Sequence, residues 1–143
     1  MAITQLSAFL SNTPGTLYQA VGAITDAGVN IRALSVAETR DFGILRLIVS
    51  DIEATKEALS SCTAVIETPV IAVKMNDQAG ALREILHALE GEGINIEYVY
   101  AFTAAVQGSA YVVLRVNDTE WAEAILAKKG VETLSDTDQG TVL

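Results

Sequence analysis

Asn12-Thr13-Pro14-Gly15-Thr16-Leu17 returns sixty-five residues later as Asp77-Gln78-Ala79-Gly80-Ala81-Leu82. The recurrence extends outward from there. Ala27-Gly28-Val29-Asn30-Ile31 returns as Glu92-Gly93-Ile94-Asn95-Ile96, and Gly43, which opens an apolar run, returns as Gly108. From Asn12 to Val49 the two copies align without a gap, with Gly15, Leu17, Ala23, Gly28, Asn30, Ile31 and Gly43 identical in both. A unit of this length is too long for a solenoid repeat and reads as a small domain present twice. The boundary is expected at Pro69, giving one domain over residues 1–68 and a second over 69–143.

A domain of that size buries only about 60% of its extended surface and is marginally stable alone. The chain answers with 50% hydrophobic residues, so the units are expected to share an interface or to form one with a second chain. The net charge of −9, with nine Lys and Arg in no basic cluster, opposes binding to a phosphate backbone and sets nucleic acid aside as a partner. One cysteine, Cys62, leaves no intramolecular disulfide and no multi-cysteine metal site. The start, Met1-Ala2-Ile3-Thr4-Gln5, lacks the basic and apolar regions of a signal peptide. No apolar run approaches the ~20 residues needed to span a bilayer. A soluble, cytoplasmic protein with no membrane partner is expected.

Each copy reads as strand, helix, strand, strand, helix, strand. In the first, residues 3–10 form a strand. Pro14 suits the first turn of a helix with Asn12 or Thr13 as its cap, and Leu17, Ala20, Val21 and Ile24 recur at helical spacing. Gly28 is placed for a left-handed helix stop. Strands over 31–36 and 44–49 follow, then a helix over 52–60 capped by Asp51 and a brief strand at Val65-Ile66. The second copy repeats this with strands over 70–75, 96–102, 111–116 and 131–134. Its first helix buries Leu82, Ile85, Leu86 and Leu89 and stops at Gly93. Its second carries Trp121 and Ile125, starts at Asp118 or Thr119 and ends at Gly130. This order is the ferredoxin-like βαββαβ arrangement of the α+β class, an antiparallel sheet with helices on one face. The strand over 44–49 is apolar on both alternating sets apart from Arg46, the pattern of a strand buried on both faces. Association, as a homodimer, is therefore expected.

Two copies of Asn/Asp-x-x-Gly-x-Leu, each followed about fifteen residues on by Gly-Val/Ile-Asn-Ile, resemble tandem ACT domains. The segment Leu34-Ser35-Val36-Ala37-Glu38-Thr39, then Asp41-Phe42-Gly43-Ile44-Leu45-Arg46, is similar to free-standing tandem ACT proteins. The resemblance implies a regulatory module that binds a free amino acid at a domain or subunit interface. Its contacts would come from the loop between first strand and first helix and from the start of the second strand. By position these are Asn12, Thr13, Pro14, Gly15, Thr16, Leu17, Asn30 and Ile31 in the first copy. In the second they are Asp77, Ala79, Gly80, Ala81, Leu82, Asn95 and Ile96. Serine-sensing members carry a His two residues before the loop Asn, where this chain has Leu10 and Met75.

The residue types suit a zwitterion. A helix N-terminus offers unpaired N–H groups and a field favouring a carboxylate, by about 0.3–1 kcal/mol when exposed and up to ~2 when partly buried. A glycine lets a ligand approach the backbone closely. An Asn can hold an ammonium and a carboxylate together, whereas Asp77 repels a carboxylate and attracts an ammonium. Structural readings stand beside these: Gly15 and Gly80 as close-packing positions, Asn30 and Asn95 as turn residues. Tyr98, Tyr100 and Phe102 share one strand face and read as packing or interface residues. His87 reads as solvated or packed, Cys62 as a small apolar filler, and Glu38, Arg40 and Asp41 as a solvated turn.

No catalytic residue, metal ligand or cofactor is expected. The lone His and lone Cys stand in different copies, and no nucleophile elbow, phosphate loop or His-Glu-x-x-His occurs. The functional expectation is a non-catalytic regulatory protein that answers an amino acid and passes the signal to a regulated enzyme or regulator. The alternative is a ferredoxin-like scaffold for protein interaction that binds no small ligand.

Overall fold

The computed structural model describes residues 2–103 and 108–135. Its elements are β1 (Ile3–Ser11), α1 (Thr16–Asp26), β2 (Ile31–Glu38), β3 (Phe42–Val49), α2 (Ile52–Leu59), β4 (Val65–Asn76), α3 (Ala81–Glu90), β5 (Ile96–Thr103), β6 (Ser109–Val116) and α4 (Thr119–Lys128). The two short strands expected on either side of Pro69 are one element, β4. The chain divides into two compact units, one of Gln5–Thr68 and the other beginning at Pro69 and including the residues before Gln5.

In the first unit β3 lies between β2 and β1, antiparallel to both, with Leu6 opposite Leu47 and Val36 opposite Leu45. The helices cover one face. Ala20 and Ile24 of α1 and Leu59 of α2 pack on Leu6, Ala8, Leu45, Leu47 and Val49. In the second unit β6 holds the same central place between β4 and β5, with Ile71 opposite Leu114 and Ala101 opposite Val112. Ile85 and Leu89 of α3 and Ala122, Ile125 and Leu126 of α4 pack on Ile71, Val73, Val112, Leu114 and Val116. Both units are therefore ferredoxin-like, and the fold is α+β. The closing strand of the second is reduced to a bridge, Val73 opposite Thr133, flanked by Lys74 N–H to the Glu132 carbonyl and Leu134 N–H to the Ala72 carbonyl, each at 2.9 Å.

The strand registers correct one sequence alignment. Gly43 pairs with Leu10, and the residue paired with Met75, the counterpart of Leu10, is Ala110. Gly43 thus corresponds to Ala110, not Gly108. The β5–β6 connection is two residues longer than the β2–β3 turn, and Gly108 sits in it at φ 84°, a left-handed conformation that Gly43 does not share. The expected burial of β3 is found in Leu45, Leu47, Ile48 and Val49, with Ile44 and Arg46 half-buried. Cys62 is exposed in the turn after α2 and fills no core space.

The helices of each unit begin in two different ways. The Asp51 carboxylate accepts the Ala54 N–H at 3.0 Å, and the Asp118 carboxylate accepts the Trp121 N–H at 3.0 Å. Replacing either aspartate by Ala is expected to lower stability by about 0.5–2 kcal/mol. The urea midpoint should fall with an unchanged slope, and an unmoved midpoint would count against the cap. By contrast α1 and α3 start behind Gly15 and Gly80, and no side chain caps either helix.

Candidate functional site

The two loops have the same backbone. Thr13 N–H donates to the Ser11 carbonyl at 2.9 Å and Thr16 N–H to the Thr13 carbonyl at 3.4 Å; Gln78 N–H to Asn76 and Ala81 N–H to Gln78 repeat this at 2.9 and 3.3 Å. Gly15 then stands at φ 88°, ψ −13° and Gly80 at φ 90°, ψ −14°. The second loop reaches this geometry with Ala79 in place of Pro14, so glycine rather than proline decides it. The helix cap expected at Asn12 or Thr13 accordingly falls on Gly15. Thr16 turns its hydroxyl back to the Ser11 and Thr13 carbonyls, at 2.7 and 2.8 Å.

Each loop is tied to the neighbouring strand connection. Asn12 N–H donates to the Asp41 carbonyl at 3.2 Å, and Asp77 N–H to the Gly108 carbonyl at 3.0 Å. Asn12 adds a side-chain bond, its Nδ2 to the Thr39 carbonyl at 3.3 Å, that a carboxylate at position 77 cannot donate. Asn12, Thr13, Pro14, Gly15 and Leu17 are exposed, with Thr16 half-buried. Asp77, Ala79, Gly80 and Leu82 are exposed, and Ala81 is buried. Leu17 and Leu82 therefore do not join the apolar helix face expected of them; Ala81, Ile85, Ala88 and Leu89 make that face on α3.

Asn30 and Asn95 are also exposed, each starting a second strand beside half-buried Ile31 or Ile96. Both are fixed by a reciprocal pair of bonds. Asn30 N–H donates to Ser50 Oγ at 2.9 Å and its carbonyl accepts from Ser50 N–H at 2.9 Å. Asn95 N–H donates to Asn117 Oδ1 at 2.9 Å and its carbonyl accepts from Asn117 N–H at 3.2 Å. Ser50 and Asn117 each precede a capping aspartate, so the same short segment sets a helix start and a strand start.

The structure does not bring the loop and the strand-start Asn of one unit together. Ser11, at the loop end of β1, lies opposite Phe42, whereas Ile31 lies opposite Val49 at the far end of β3. Seven strand residues separate the two positions, roughly 23 Å. An α-amino acid carries its carboxylate and ammonium on one carbon and cannot span that distance.

His87 is largely exposed and lies 3.9 Å from Glu90. Phe102 stacks on Tyr111 with ring centroids 5.5 Å apart. Among the described residues no group of three His, Cys, Asp or Glu side chains is arranged to hold a metal ion, and no helix is long and apolar enough to cross a membrane.

Comparison with known proteins defines the class that this fold and these loops belong to. The chain is a member of the ACT domain pair family, whose model matches residues 1–143. Protein BT0572 from Bacteroides thetaiotaomicron has a similar crystal structure at 37% identity and TM-score 0.91, covering 99% of this chain and 97% of that one. The regulatory subunit of aspartate kinase from Thermus thermophilus shares the fold at 16% identity and TM-score 0.66, with 87% of each chain covered. Clostridium acetobutylicum aspartate kinase shares it at 15% identity and TM-score 0.55, covering 89% of this chain and 33% of that one. No curated protein matches the chain.

Proposed function

We propose that the protein is a non-catalytic, cytoplasmic regulator that binds a free amino acid at the loops before α1 and α3. The observation that carries this reading is the contrast among helix starts. α2 and α4 are closed by aspartates, while α1 and α3 open behind left-handed glycines with exposed loops and no side-chain cap. Thr16 N–H and Ala81 N–H are used within the loops, so the N–H groups of Leu17 and Tyr18, and of Leu82 and Arg83, are those available to a ligand carboxylate, in the field that favours an anion. Within one unit Asn30 is too distant to complete that site. Asn30 or Asn95 of a second copy would supply the amide that receives the ammonium, which makes the homodimer part of the site. Ligand would then favour one arrangement of subunits over another, and a regulated enzyme or regulator would read the difference.

A thermal shift screen against the twenty amino acids tests this. Ligand at a hundred times its dissociation constant adds about 2.7 kcal/mol, a rise of roughly 5–10 °C for a chain of this length. Asn30→Ala should weaken the response by about the worth of one hydrogen bond, roughly 1 kcal/mol or fivefold in affinity. Absence of a shift with any amino acid would favour the scaffold reading, to which the exposed apolar residues Leu34 and Val36 of strand β2 already lend support.

A further inference from the structure

The same groove recurs in both units, between the end of the first strand, the first helix and the turn after the second helix. In the first unit it is small, about 260 Å³, and its walls are uncharged, with Phe9, Thr16, Gln19, Ser61 and Cys62 among them. In the second it reaches about 560 Å³ and carries Lys74, Glu84, Lys129 and Glu132. Lys74 stands at the position of Phe9 and Glu84 at that of Gln19, sixty-five residues on. The fold makes the groove twice, and the sequence charges it once.

The charges are balanced and recruited against composition. Two of the chain's four lysines line this one groove, on a chain of net charge −9. Ala81, Ile85 and Ala88 of α3, all buried or nearly so, join Met75 and Val131 as apolar lining. The volume lies within the roughly 300–1,000 Å³ typical of small-molecule sites, and polar and apolar side chains share the lining. Lys74 Nζ and Glu132 Oε2 are 3.5 Å apart, with side chains 39% and 66% exposed. A pair that exposed is weak and can exchange its partners for those of a ligand.

We propose that this groove is a separate binding site for a free α-amino acid with an aliphatic or thioether side chain. Lys74 receives the carboxylate, Glu132 receives the ammonium, and the side chain lies along Ile85 and Val131. Gln78 and Ala81 line the groove, while Asp77, Ala79, Gly80 and Leu82 do not, so it meets the loop site proposed above only at Ala81.

The test is a titration of the full ¹⁵N-labelled chain with L-leucine and L-methionine, read by backbone amide shifts. Saturable shifts are expected at Ile85, Ala88, Gly130 and Val131, persisting in the Gly15→Val/Gly80→Val double variant. Lys74→Gln and Glu132→Gln should each weaken that binding roughly tenfold or more, as for loss of a hydrogen bond to a charged group. The deaminated analogue 4-methylpentanoate and the decarboxylated analogue 3-methylbutylamine should bind correspondingly more weakly than leucine. Shifts confined to residues 13–19 and 78–83, and lost in the double variant, would overturn the groove while leaving the loop site standing. Equal affinity for leucine and its analogues, or unchanged affinity in both charge variants, would also overturn it. If the double variant does not fold, the two charge variants decide the question in the natural background.

Discussion

Leu114→Ala is expected to lower the unfolding free energy by about 2–5 kcal/mol. Leu114 has no exposed surface, sits on the central strand of its sheet and packs beneath both α3 and α4. Truncation removes its transfer free energy and leaves a cavity that the strands on either side cannot collapse into. Leu47 holds the same position in the first unit, opposite Leu6 and fully buried, so Leu47→Ala should cost a similar amount. Either loss is a large share of the ~5–15 kcal/mol typical of a folded domain. Urea unfolding of both variants gives the measurement. A cost below about 1 kcal/mol at either position would mean that the core on that side repacks freely, contrary to the burial seen here.

The Gly15→Val/Gly80→Val double variant is expected to lose the response of the loop site, about 2.7 kcal/mol at a hundred times the dissociation constant of its amino acid, while leucine and methionine still bind in the groove. It should also lose stability of its own. An added Cβ would meet nothing within 4 Å at either glycine, so the penalty is conformational. Left-handed backbone costs an L-residue roughly 1–2 kcal/mol, and β-branching adds to it. Asn tolerates this region, so the Gly15→Asn/Gly80→Asn variant should fold better and separates backbone strain from occlusion of the helix start. A thermal shift that survives intact in the folded valine variant, with an amino acid that the groove does not bind, would remove the loops from the binding site.

Much of this architecture is written in local chemistry. Asp51 and Asp118 announce helix starts because a carboxylate reaches an N–H only three residues on. Gly28 and Gly93 announce helix ends because both adopt φ 74°, where other residues are strained. The family resemblance is equally legible, since it rests on these punctuation residues recurring in order. What could not be read depends on partners distant along the chain. Gly43 and Gly108 look equivalent until strand pairing matches Gly43 with Ala110. Asn12 and Asn30 look like members of one site until the register of β1, β3 and β2 sets them at opposite ends of a sheet. The charged groove joins residues 74–88 to residues 129–132, a proximity that no periodicity reveals. Asn12 and Thr13 lost the cap to Gly15 because the left-handed glycine closes the turn two residues after Thr13, and Gly80 does the same in the second unit, where Ala81 carries no hydroxyl.

Two helices in this protein wear permanent latches and two do not. Amide hydrogens at Leu17 and Tyr18, and at Leu82 and Arg83, should consequently exchange with solvent well before those at Ala54 or Trp121. A metabolite docking there would be a removable latch, fastening the same kind of helix end that Asp51 fastens for good. Resistance to fraying, and with it survival against proteases, would then rise and fall with nutrient supply. Abundance itself would become a second readout of the signal.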